Sequence, residues 1–178
     1  MDAARATVQA RGYNALSFRE IAKDVGIKSA SIHYHFPTKG DLGAALAKRY
    51  TDDAMAYFDS LLDQDLDLET RFARYVAVFR AALANDNRMC LYGVMAAEYG
   101  DLPDHVRTEV DAFSAANVGW LVKALGPAHP DLDDTALRDR ALAVFAAIEG
   151  AQLVARGRGD IGVFDTTIAA YRAAGFMP

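Results

Sequence analysis

Two histidines stand one residue apart in Val25-Gly-Ile-Lys-Ser-Ala-Ser31-Ile-His33-Tyr-His35-Phe36-Pro-Thr-Lys39-Gly-Asp-Leu42. If residues 31–36 form an extended strand, their polar–apolar alternation puts both imidazoles on one face, a pair able to hold a divalent metal. A helix gives a different chemistry. Successive residues then turn by about 100°, the two rings point to nearly opposite sides, and two ligands for one ion would need a spacing of three or four. What the helix presents instead is a small polar surface of Ser29, Ala30, Ser31, His33 and Tyr34. Hydroxyls there can donate to or accept from base edges, and an alanine methyl can touch thymine.

The elements around this segment decide between the two. Ser17-Phe-Arg19-Glu20 is a capping-box pattern opening a short helix with Ile21, Ala22 and Val25 inward, and Gly26 breaks it. Together with 29–36 this makes a helix-turn-helix spanning 17–36. A strand would need a partner for its backbone groups, and no other stretch alternates for long. The segment is therefore read as a helix, with Ile32 and Phe36 packing against Ile21 and Val25, His35 tucked under the next helix, and no metal pair. A first helix is expected from Asp2 to Ala10, stopping at Gly12. Thr38-Lys-Gly-Asp41 opens a long helix to about Leu62.

Further helices are expected from Asp67 to the Asn85-Asp86-Asn87 stop, from Met89 to Tyr99, and from Pro103 to Leu125 ahead of Gly126-Pro127. Another begins at Asp131–Asp134 and runs to about Arg156, with Gly157 and Gly159 separating it from a last helix over 161–174. The fold class is all-α. A three-helix helix-turn-helix domain over 1–50 precedes a helical bundle over 51–178.

Charge divides along the same boundary. The chain of 178 residues carries a net charge of −5, but residues 1–50 hold eight Lys/Arg against four Asp/Glu, and the remainder eleven against twenty. A basic module that can approach phosphates thus adjoins an acidic body that cannot. One cysteine, Cys90, excludes an internal disulfide, and no apolar run reaches the ~18–20 residues a membrane span needs. The first residues lack a signal-peptide layout, so the expected location is the cytoplasm, with no membrane partner. Four histidines at 33, 35, 105 and 129 form no HExxH, and the chain has no CxxC, phosphate loop, or nucleophile–base–acid set. These absences argue against an enzyme, and no cofactor is implied.

Residues 17–42 closely resemble the DNA-binding signature of the TetR family of transcriptional regulators, with the glycine, the His35-Phe36 pair and Lys39 at family spacing. Cys90-Leu-Tyr-Gly-Val-Met-Ala-Ala-Glu98 is similar to the branch that includes N-ethylmaleimide-responsive repressors. The resemblance implies a homodimer that sets its second motif helix in successive major grooves of double-stranded operator DNA and is released by a small effector. Carried over by position, Ser17, Arg19, Ser29, Ala30, Ser31, His33, Tyr34 and Lys39 are the implied DNA contacts. His33 stands where a phosphate-contacting tyrosine is usual, and the chain starts almost at its first helix, without the basic arm many members carry. An alternative is a helical adaptor of the same fold that has lost specific DNA binding.

For the effector, inward aromatics of the larger domain could enclose an apolar site of about 300–1,000 Å³. The candidate lining is Phe58, Tyr75, Phe79, Cys90, Val94, Phe113, Trp120, Phe145 and Glu149. Glu149, on a mostly apolar helix, either holds a ligand's polar end or pairs with an arginine such as Arg80. In the similar branch a cysteine begins the helix that Cys90 begins here, and with Arg88 near it the thiol would be activated toward electrophiles or oxidants. The other reading is a small packed hydrophobe between Met89 and Leu91. Small residues on the last two helices, Ala143, Ala147, Gly150, Ala151, Ala169 and Ala173, suit a four-helix dimer interface.

Overall fold

The computed structural model describes residues 1–178 and contains helices and turns without strands. The helices are α1 (Asp2–Arg11), α2 (Phe18–Val25), α3 (Ser29–His35), α4 (Lys39–Leu62), α5 (Leu68–Ala84), α6 (Leu91–Ala97), α7 (Asp104–Leu125), α8 (Asp134–Arg158) and α9 (Ile161–Ala173). Short 3-10 turns lie at Tyr13–Ala15, Tyr99–Asp101 and Gly126–Ala128. No helix is long and apolar enough to cross a membrane.

The segment containing the two histidines is helical. Gly26, at φ 76°, ends α2 in the left-handed conformation, and the Ile27 amide donates to the Ala22 carbonyl at 2.9 Å, the six-to-one bond of a Schellman close. α3 stops at Phe36, whose extended backbone is what a following proline demands. Thr38 and Asp41 form the expected capping box. The Asp41 amide donates to the Thr38 hydroxyl at 3.1 Å, and the Asp41 carboxylate accepts from the Thr38 amide at 2.9 Å. Asp67 and Asp133 cap α5 and α8 by accepting from the amides of Thr70 and Ala136. Ser17 occupies the N-cap of α2, but its side chain makes no cap hydrogen bond, so that capping box is not formed.

Two expected boundaries move. α8 runs through Gly157 to Arg158, because only Gly159 takes the left-handed conformation, φ 63°, that closes a helix. The helix expected from Met89 to Tyr99 is only Leu91–Ala97, since Cys90 is extended (φ −47°, ψ 136°) and the chain tightens into a 3-10 turn after Glu98.

The chain divides into two compact units: Met1–Asp53 with Cys90–Ser114, and Ala54–Met89 with Ala115–Pro178. Cys90–Ser114 thus joins the N-terminal residues in one unit. In the first unit, Val8, Leu16, Ile21, Ile32, Leu42 and Leu46 share one core with Leu91, Met95, Leu102, Val106 and Val110. Such a core is what a head of about fifty residues lacks when it stands alone.

The second unit packs α5 against α8 and α9. Its centre is aromatic: the Tyr75 and Trp120 rings stack at 4.8 Å, and Phe58 meets them at 4.7 and 5.4 Å. Two amides are buried there. The Tyr75 hydroxyl donates to Asn117 Oδ1 at 3.0 Å, and Gln152 Nε2 donates to the Phe79 carbonyl at 2.7 Å.

Candidate functional site

α3 turns one apolar side chain fully inward. Ile32 is buried, while Ala30, Ser31, His33, Tyr34 and His35 are exposed and Ser29 is half-buried. Tyr34 is the extreme, at 85 % exposure. A ring so open adds little buried area to the fold and leaves its face available to a partner. The His33 ring meets the edge of Phe18 at 4.5 Å, which props it against the start of α2. Arg19 lies next to that contact with its side chain 91 % exposed and Glu20 3.9 Å away. Ser17 is half-buried at the N-terminus of α2.

Two packing expectations fail here. His35 is exposed rather than tucked under α4, its ring lying 5.2 Å from Tyr34 and 6.5 Å from Phe36. Val25 is 52 % exposed and does not join the core, because Ile21 and Ala22 fill the inward face of α2 and the chain reverses at Gly26 directly after it. Phe36 does pack on the core, half-buried.

Lys39, at the start of α4, is already engaged. Its Nζ donates to the Asn14 carbonyl at 3.1 Å and lies 4.5 Å above the Tyr13 ring. A phosphate would have to share or replace those contacts. Beside it, two hydrogen bonds from Thr38, first its hydroxyl and then its amide, hold the Asp41 carboxyl below the ordinary carboxylate range.

The candidate effector residues fall into two groups, one in each unit. Phe58, Tyr75, Phe79, Trp120, Phe145 and Glu149 are all buried in the second unit. The Tyr75 ring lies 5.2 Å from Phe79, which lies 6.5 Å from Phe145. Arg80, on α5, makes a bidentate pair with Asp165 at 2.7 and 2.8 Å. Asn117 and Gln152, both fully buried, were missed in the sequence. Their spacing from Phe113 and Ile148, four residues in each case, was the available signal that they face inward.

Cys90, Val94 and Phe113 belong to the first unit. Phe113 stacks on Tyr92 at 5.4 Å and meets Tyr50 at 5.3 Å. The Tyr50 hydroxyl donates to Cys90 Sγ at 3.6 Å, and Cys90 is 1 % exposed. Val94 is half-buried and packs on the core of this unit. A cavity of about 10 Å³ lies beside Tyr50, Tyr92 and Phe113, room for a single water.

On the last two helices Ala143, Gly150, Ala169 and Ala173 are exposed and Ala147 is half-buried. Ala151 is 2 % exposed and faces its own core, so it is not part of that surface. The expectation from small residues overlooked larger neighbours on α8: Leu142, Leu153 and Val154 are 50, 56 and 50 % exposed.

Residues 1–46 match the family model of bacterial regulatory proteins, tetR family. The chain is 30% identical to a TetR transcriptional regulator from Legionella pneumophila whose crystal structure superposes with a TM-score of 0.90, covering 97% of this chain and 93% of that one. It is 28% identical over 128 residues to the HTH-type transcriptional repressor KstR2 of Mycolicibacterium smegmatis, a match that takes in 69% of this chain and spans 62% of the repressor's length. The reduced form of NemR from E. coli shares the fold, at 19% identity and a TM-score of 0.79 over 95% of this chain and 91% of that one.

Proposed function

The chain belongs to the TetR family of transcriptional regulators, and from that premise we propose that it is a homodimeric repressor released from operator DNA by a small, largely apolar or electrophilic effector. The observation that carries the reading is the outward face of α3. Ala30, Ser31, His33 and Tyr34 are turned to solvent around a single anchoring Ile32, next to an Arg19 that is 91 % exposed. Base edges are read in the major groove by such short polar and methyl-bearing side chains, with arginine reaching guanine or phosphate. Ser17, Ser29 and Lys39 flank this face and would fix its register on the backbone. The net positive balance of residues 1–50 favours approach to phosphates, and the acidic remainder keeps the rest of the molecule away.

A repressor of this kind works as a pair. Successive major grooves require recognition helices ~34–36 Å apart, one turn of duplex, and the exposed faces of α8 and α9 are the surfaces through which two copies would join. The effector would be held by the buried rings, with Glu149 serving a polar end, and a coupling of about 1–3 kcal/mol to the DNA site would be enough for a useful switch. The whole reading supports a cytoplasmic protein working on the genome.

The test is binding to the intergenic DNA upstream of the protein's own gene, measured across a salt series. Specific binding that weakens steeply with salt, and that weakens further on Tyr34→Ala and Lys39→Ala, is the expected result. No specific binding to any neighbouring promoter would sink the repressor reading in favour of a helical adaptor.

A further inference from the structure

α3 is tied on both sides by three-residue links, 26–28 to α2 and 36–38 to α4. Its position is therefore set by what fixes the start of α2 and the first turn of α4. Within the first unit, residues 98–105 reach both places.

On the α2 side, the α1–α2 turn contains Gly12 at φ 90°, and a methyl group there would fall on the Glu98 carboxylate. That carboxylate also accepts the Asn14 amide at 3.2 Å, and Asp101 Oδ2 accepts from Asn14 Nδ2 at 2.7 Å. On the α4 side, Gly40 is buried, and a methyl group there would lie 2.8 Å from both Cε1 and Nε2 of the His105 ring. His105 Nε2 is also 3.8 Å from Asp41 Oδ1, the carboxylate that caps α4. Lys39 joins the two sides through its bond to the Asn14 carbonyl. Two hollows that only glycine can provide thus receive two side chains from one short segment, one on each flank of α3.

We propose that residues 98–105 form a two-point key that sets the position of the recognition helix, with Glu98 seated at Gly12 and His105 seated at Gly40 as its positioning residues. Loss of either contact is expected to loosen α3 at the end it holds. The inference rests on the proposed DNA reading, and its test separates the two.

Full-length wild type, G40A, H105A, G40A/H105A, E98A and E98Q are compared by binding to the upstream intergenic DNA and by hydrogen exchange. Amides of residues 29–46 report the key, and those of Leu68–Ala84 in the second unit serve as reference. Because the new methyl meets the imidazole, G40A is expected to lower DNA affinity and accelerate exchange over 29–46 by at least about fivefold, while the reference amides stay unchanged. In the H105A background the two shortest contacts are gone and only Pro103 Cγ, at 3.3 Å, stays close to the methyl, so G40A is expected to change either readout by less than about twofold. E98A should act like G40A, whereas E98Q keeps an oxygen acceptor for Asn14 and should stay near wild type.

Equal effects of G40A with and without His105 would overturn the key, as would exchange over 29–46 that none of the variants alters. If the wild-type chain does not bind the DNA, the DNA reading is lost, and the exchange results alone uphold or overturn the key.

Discussion

At the scale of single residues, exposure separates roles that one-letter codes leave together. Tyr34 at 85 % exposure supports no packing, so Tyr34→Ala should weaken operator binding while leaving the melting temperature within about 2 °C. Lys39→Ala is different, since Nζ also holds the Asn14 carbonyl and covers Tyr13, and both affinity and melting temperature should fall. Cys90, 1 % exposed with the Tyr50 hydroxyl on its sulfur, should react with a thiol reagent far more slowly in the native chain than in denaturant. Native-state labelling as fast as that of the unfolded chain would remove the burial argument.

The carboxylates give a further residue-scale expectation. Hydrogen bonding to Arg80 holds the Asp165 carboxyl below its ordinary value of 3.8, as Thr38 does for Asp41. A carboxyl depressed by folding stabilises the native state above its unfolded value, and that stabilisation is lost as pH falls through the folded value. Melting temperature should therefore drop below about pH 4, and D165N should flatten that drop; an unchanged acid limb in D165N would show that the pair contributes nothing.

At the scale of elements, the helix starts were legible wherever an acid or hydroxyl could reach an amide two or three residues on. Thr38, Asp67 and Asp133 all cap as their patterns imply. Asp133→Ala should cost about 1 kcal/mol, or roughly 2–4 °C in melting temperature for a chain of this size. The pattern at Ser17 misled because a capping sequence offers a bond without compelling it, and here the side chain does not make it. Helix ends were legible at Leu62, ahead of Asn85 and at Leu125, but a glycine marks an end only where its backbone leaves the helix. At Gly26 and Gly159 it does, whereas Gly157 is simply a helical residue, and composition alone does not tell them apart. α3 shows how a local pattern loses to its surroundings: six alternating residues look like a strand, but a strand without a neighbour leaves its amides unpaired.

At the scale of the whole molecule, the exposed apolar face of α8 carries the dimer expectation. Leu142, Leu153 and Val154 are each half or more open to water, which a lone chain maintains at a cost. Leu153→Glu should convert a dimer to a monomer, read as a halved mass by light scattering during size-exclusion chromatography. A mass that stays dimeric would move the interface elsewhere. Ala151, which small-residue spacing also suggested, faces inward, since spacing identifies a stripe and not which side of the helix the core will occupy.

The sequence by itself determined the all-helical class, the motif over 17–36 and the basic balance of residues 1–50, because periodicity, capping chemistry and charge are local properties. The family resemblance likewise lay within contiguous residues. Only the tertiary structure decided that Cys90–Ser114 belongs with the head, that His35 and Val25 face water, and that Gly12 and Gly40 are hollows for Glu98 and His105. Glu98 lies 86 positions from Gly12 and His105 lies 65 from Gly40, and no local spacing encodes such contacts. They form because the apolar side chains of the head share one core with Leu91 and Met95 of α6 and with Val106 and Val110 of α7.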